Sequence, residues 1–322
     1  MDLQNTLEKH VMQLKNKHRT LRNVALVVKE ITATLYESYF PGAEKLRPGP
    51  KSRCPDSDII CIAWLLEIIG KDSELAGYKM LKAELSDVFP YLPERSRFNR
   101  RRRNLCYISD KLRQALTQFL PDDDVYIVES LPVPLCDFKR AYASNSPLKC
   151  ANGTGTLAAY GKCATKALGT FLGFRCSIIT TAYGGPVDFA ITPADMDDRE
   201  VLPLFCERGT YPIIIGDKGY ICEELEEELL KTYNVCLFPT RRKNQKAQYP
   251  SKFRKLQQKI RRRVETTISQ LCGQFNISRI HARTHLSFLT RMNNKFGGFT
   301  LGVFINKCLG RKLMALKDVV YA

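Results

Sequence analysis

The chain has 322 residues, 44% of them hydrophobic, which is enough for a buried core and excludes a disordered polymer. Lys and Arg number 50 against 33 Asp and Glu, a formal charge of +17, so nucleic acid is the first partner to consider. An acidic membrane surface would draw the same charge, but the longest apolar run, Ile59 to Ile69, is short and carries Glu67, so no membrane span is expected.

The N-terminus carries charges every few residues and lacks the apolar core of a secretory signal, so export is not expected. Residues 1–120 read as helical. Apolar positions recur with helical spacing through Ile59, Ile62, Leu65, Leu66 and Ile69, Pro48-Gly49-Pro50 punctuates the region early, and Trp64 reads as core. A second helical unit is predicted to begin near Leu92-Pro93-Glu94, with proline in a first turn, and to run through the basic segment Arg95 to Arg103.

From Val125 the pattern changes to short apolar runs bounded by turn residues. Strands are predicted at Val125–Val128, Phe174–Thr181, Val187–Ile191, Ile213–Ile215 and Val235–Phe238, with a hairpin at Gly184-Gly185. Helices are predicted over Asp197–Cys206 and Glu223–Thr232. The order implies an α/β mixed sheet with flanking helices and its active edge at strand ends. Residues 136–170 form a long connection. The domains expected are a helical DNA-binding region over 1–120, a catalytic domain over 121–310 and a tail over 311–322.

Three carboxylates stand out. Asp217, in Gly216-Asp217-Lys218-Gly219-Tyr220, follows an apolar strand between glycines, where it reads either as a hard oxygen ligand for a divalent cation or as the start of a turn. Glu265 follows a stretch from Arg241 to Arg263 with 11 Lys or Arg and no acid, and is either a site carboxylate or a surface partner of Arg261. Glu129 ends the first strand before Pro132 and Pro134, which prevent that strand from continuing as an interior one. It is either exposed or held for a metal.

Weaker signals are set aside. His281 and His285 have no Cys or acid at zinc-ligand spacing, the acidic run Glu223 to Glu228 reads as a solvated face, and twelve scattered cysteines without a Cys-x-x-Cys pair read as reduced thiols. The basic runs Arg95, Arg97, Arg100, Arg101, Arg103 and Arg241, Arg242, Lys243, Lys246 are either DNA-positioning patches or solvated charge.

Taken together, Ser130-Leu131-Pro132-Val133-Pro134, Tyr160-Gly161-Lys162-Cys163-Ala164, Phe174, Ile191-Thr192-Pro193-Ala194, Gly216 to Tyr220, and Arg261 to Thr266 resemble the DDE transposases of bacterial insertion sequences, the insertion sequence 982 family in particular. The resemblance implies an RNase H-like fold and three acids that bind two Mg²⁺ or Mn²⁺ ions. It also implies double-stranded DNA partners, both element terminal inverted repeats and target, a homo-oligomer in the synaptic complex, and a cytoplasmic, nucleoid-associated enzyme. Residue by residue it implies Glu129, Asp217 and Glu265 as catalytic and metal-binding acids, with Lys218 and Arg261 on phosphates. Glu129 departs from the Asp usual at its place, and Gln258 and Cys272 stand where some related families have Tyr and Lys. The activity implied is cleavage at element ends and transfer of 3′ hydroxyls into target DNA. The alternatives are an impaired remnant that only binds DNA and a metal-dependent nuclease.

Overall fold

The computed structural model describes residues 2–15, 20–46, 49–137, 139, 148, 158–163 and 169–321. The chain divides into two compact units, one of Met1–Pro121, Gln274–Asn276 and Leu286–Ala322, the other of Asp122–Gly273 and Ile277–His285.

The first unit is helical: α1 (Leu3–Met12), α2 (Leu21–Tyr39), α3 (Asp56–Ile68), α4 (Glu74–Glu84), α5 (Arg95–Asn104) and α6 (Cys106–Thr117). Side-chain caps from Asp2, Thr20 and Ser73 start three of them by accepting otherwise unpaired backbone N–H groups. Helix α3 is buried on every side, as its unbroken apolar run dictates, and Trp64 donates to Ser109 Oγ at 3.0 Å. Glu94 occupies the N-cap of α5, so Pro93 lies just before that helix and not in its first turn.

Leu286–Ala322 belongs to this helical unit, not to the sheet, which differs from an end at 310 followed by a tail. The reason is apolar. Most of the long helix over His285–Cys308 is buried, and Gly297 and Gly298 let it approach α3 so closely that a Cβ at Gly298 would stand 2.9 Å from the Trp64 carbonyl oxygen. Leu316, Val319 and Val320 then fold inward, which a solvated tail would not do. Lys295, fully buried, is neutralised by Glu67 at 3.0 Å and Asp72 at 3.1 Å.

The second unit holds a mixed six-stranded sheet: β1 (Val125–Asp137), β2 (Ala159–Lys162), β3 (Thr170–Thr181), β4 (Pro186–Pro193), β5 (Ile213–Gly216) and β6 (Cys236–Pro239), in the order β2-β3-β1-β5-β6 with β4 also on β3. Strands β1 and β3 are antiparallel, while β1, β5 and β6 are parallel. The turn through Gly184, at φ +98°, joins β3 to β4 as a hairpin. Strand β1 runs nine residues beyond Val128, through both prolines. It does so as an edge: β5 pairs only Val125 to Ile127, so the missing N–H groups of Pro132 and Pro134 disturb no interior ladder. Strand β2 lies inside the long 136–170 connection, most of which falls outside the described residues; only four residues long, it was not legible as a strand.

On one sheet face Val128, Ile179, Ile214 and Leu237 pack with Leu202 and Phe205 of α7 (Leu202–Cys206) and Leu225 and Leu229 of α8 (Glu223–Tyr233). Helix α9 (Ser251–Gly273) packs on β1, burying Gln257, Val264, Thr267 and Leu271 at helical spacing. Among the described residues every cysteine is a free thiol, and no helix is long and apolar enough to cross a membrane.

Candidate active site

The register of the parallel strands brings two of the expected acids together. Val125 pairs with Ile213, Tyr126 with Ile214 and Ile127 with Ile215. The same offset carries Glu129 level with Asp217, two residues past the last bonded pair, where β5 has ended and β1 runs on along β3. Side chains alternate across a sheet, so Glu129 shares the face of Ile127, and Asp217 that of Ile215, opposite the Val128 and Ile214 core. Asp124, the other acid near β1, is exposed at the strand's start, away from this edge, and Asp137 stands at its far end.

Burial first, and then the negative charge of Asp217, push the Glu129 carboxyl above its ordinary value. Arg261 Nη2 of α9 opposes this by binding Glu129 Oε2 at 2.9 Å, with both side chains about four-fifths buried. Asp217 also starts a turn: its Oδ1 accepts from the Gly219 N–H at 2.7 Å and caps the short 3-10 helix Lys218–Tyr220. This is the turn-starting role read for Asp217 in the sequence. Gly216 is needed for packing, since a Cβ there would stand 3.0 Å from the Tyr220 ring.

A further carboxylate, unforeseen in the sequence, lies close by. Asp198, in the 3-10 helix Asp198–Val201 after β4, takes Arg175 Nη1 at 2.9 Å, and the same guanidinium is 3.5 Å from Ser130 Oγ, next to Glu129. Burial raises the Asp198 carboxyl, and Asp217 adds to that rise. Among the described residues, Asp198 Oδ1 and the Tyr220 hydroxyl are both buried without a hydrogen-bond partner. Burial lifts the Tyr220 hydroxyl well above its usual range, and the charges of Asp198, Glu129 and Asp217 lift it further. Paired acids a few residues after a strand, Asp197-Asp198, were the available signal; they were absorbed into a helix start.

Glu265 is exposed one turn beyond Arg261 on α9 and makes no ion pair among the described residues; Arg261 turns to Glu129 instead. No group of three or more His, Cys, Asp or Glu among the described residues is gathered closely enough to hold a metal ion, His281 and His285 included, both of which are exposed. Of the basic residues, Lys218, Arg95, Arg97, Arg100, Arg242, Lys243 and Lys246 are exposed and Arg103 is half-buried. Arg101 is committed internally, to Asp56 at 2.6 Å and to Ser52 and the Cys54 carbonyl. Arg241 is paired with Glu226 at 2.8 Å beneath Tyr249.

Neither the curated proteins nor the solved structures contain a match to this chain. The family model described as the transposase DDE domain matches residues 121–288, the segment that carries the whole sheet and α9. With more than half of the chain so matched, and with Glu129 and Asp217 level on neighbouring parallel strands inside that segment, the chain belongs to the transposase DDE domain family.

Proposed function

We propose that the chain cleaves phosphodiesters at the ends of a mobile DNA element and joins the freed 3′ hydroxyls to target DNA, using an RNase H-like catalytic unit. The observation that carries this reading is the pair Glu129 and Asp217, level on neighbouring parallel strands, with Glu129 raised by burial and by its neighbour's charge. Two crowded carboxylates are a hard-oxygen donor set whose repulsion a divalent cation relieves, so the residues fit Mg²⁺ or Mn²⁺. Glu265, on the flank of α9 that bears Arg261, is the third ligand in this reading. Two ions held there would supply Lewis acidity to the attacking and leaving oxygens of an in-line displacement.

The chain's own residues do the rest. Lys218, exposed directly after Asp217, and Arg261 hold the phosphates of the reacting strand, charge-assisted and without a protein nucleophile. Arg95, Arg97, Arg100 and Arg103 of α5 and Arg242, Lys243 and Lys246 before α9 contact duplex backbone. The insertion sequence 982 family, a bacterial nucleoid location and a homo-oligomer that synapses two element ends belong to the same proposal.

The test is strand transfer by the purified chain with Mg²⁺ and duplexes bearing the element's terminal inverted repeats. Activity that survives Asp217→Ala ends the proposal. A second reading, a remnant that binds DNA without cutting it, draws on one observation: Glu129 replaces the usual Asp and is held by Arg261, with no three-carboxylate cluster among the described residues. Cleavage absent from the natural chain and restored by Glu129→Asp would favour that reading.

A further inference from the structure

Helix α9 carries cations on two opposite flanks, with Lys255 and Arg262 on its outer face between them, and only one flank borders the acids. At 100° per residue the buried stripe Gln257, Val264, Thr267 and Leu271 fixes which side faces the sheet. Arg254, Arg261 and Glu265, spaced seven and four apart, form a single line on one flank. Because Arg261 reaches Glu129, that flank is the one beside Glu129. Lys252, Lys259 and Arg263 repeat the same spacing on the other flank. Arg254 is exposed, and among the described residues its side chain has no ion-pair or hydrogen-bond partner.

A solitary exposed arginine is ordinarily just solvated. Arg254 differs in standing in line with the guanidinium that touches the Glu129 carboxylate, two turns away, in a stretch from Arg241 to Arg263 that contains no acid of its own. At 1.5 Å per residue the two guanidinium-bearing positions are about 10 Å apart along the axis, the advance of about three phosphates along one strand of a duplex.

We propose that the Arg254 flank of α9 is a backbone-tracking DNA interface, with Arg254 as the positioning residue that grips phosphates leading to the Glu129–Asp217 edge. The inference rests on the reading of DNA as substrate but not on cleavage. It is tested in the absence of divalent cations by binding a short fluorescein-labelled duplex across a salt series. Arg254→Ala should make the dependence of log affinity on log salt shallower by about one, Arg254→Lys should restore it, and Lys259→Ala, on the opposite flank, should leave the slope in place. An unchanged slope in Arg254→Ala, an equal loss in Lys259→Ala, or no measurable binding overturns the inference. A chain that shows the slope change yet never cuts with Mg²⁺ would sink the proposed activity and leave this interface standing; one that cuts but ignores Arg254 would do the reverse.

Discussion

Replacing Glu129 by Gln tests the carboxylate pair without changing its shape. Neighbouring strands lie about 4.8 Å apart, so ionised carboxylates level on them repel by about 3 kcal/mol at an effective dielectric constant of about 20. The Arg261 guanidinium at 2.9 Å returns a comparable attraction, and burial of the charge opposes folding. The substitution removes all three, so stability in metal-free buffer at neutral pH should change by only about 1 kcal/mol. The response to a cation should change far more. A ligand at a hundred times its Kd stabilises the folded chain by about 2.7 kcal/mol. For a unit of this size that is about 5–10 °C in Tm. If the lost carboxylate weakens binding about a hundredfold, the same concentration equals Kd, and the gain falls to about 0.4 kcal/mol, about 1 °C. Differential scanning fluorimetry with and without Mn²⁺ reads this directly. Equal shifts in the two proteins would show that Glu129 is not a ligand, and no shift in the natural chain would refute the reasoning at its root.

Other outcomes follow from the same geometry. Folding favours the protonated form of Glu129, since its carboxyl is raised above 4.5. That contribution is full below the unfolded value, about pH 4.3, and is lost as pH rises through the folded one. The Tm of the natural chain should therefore fall relative to Glu129→Gln as pH rises above about 4.3 in metal-free buffer; a constant difference would contradict this. Arg101→Ala leaves Asp56, which is fully buried, without its guanidinium and should cost about 3–5 kcal/mol in denaturant unfolding. The salt slope of DNA binding should stay in place, whereas a shallower slope in a stable variant would return Arg101 to the DNA interface. Gly297→Ala drives a methyl onto the Trp64 indole and should destabilise the helical unit by roughly 1–3 kcal/mol, with a changed emission from the sole tryptophan. An unaltered spectrum and midpoint would show that the α3 contact is looser than described.

Much of this was legible one residue at a time. Periodicity marks α3 as buried because its apolar run covers every helical face, and Ile213 to Gly216 reads as a strand that ends at Asp217 because glycine and a turn-forming acid follow it. Asp217 announced itself by its place directly after a strand, whereas Glu129, read as the last residue of one, lies inside β1, which runs on to Asp137. Chemistry of this kind is local: which residues can form a strand, stop one, or offer hard oxygens is a property of a few neighbours.

Other features depend on which segments meet. Sequence could not say that β1 continues through Pro132 and Pro134, because a proline is tolerated only where no neighbouring strand needs its N–H, and β5 stops short of them. It could not separate Arg101, turned inward to Asp56, from the exposed arginines around it, since all share one basic run. Nor could it decide between Glu265 and Glu129 as the partner of Arg261, or find Asp198 beside Ser130. Pairing between residues far apart in the chain is set by strand register and helix phase. The sequence by itself determined the kinds of groups this protein carries and the elements that present them; the tertiary structure alone decided their neighbours, because burial and charge act across space and not along the chain.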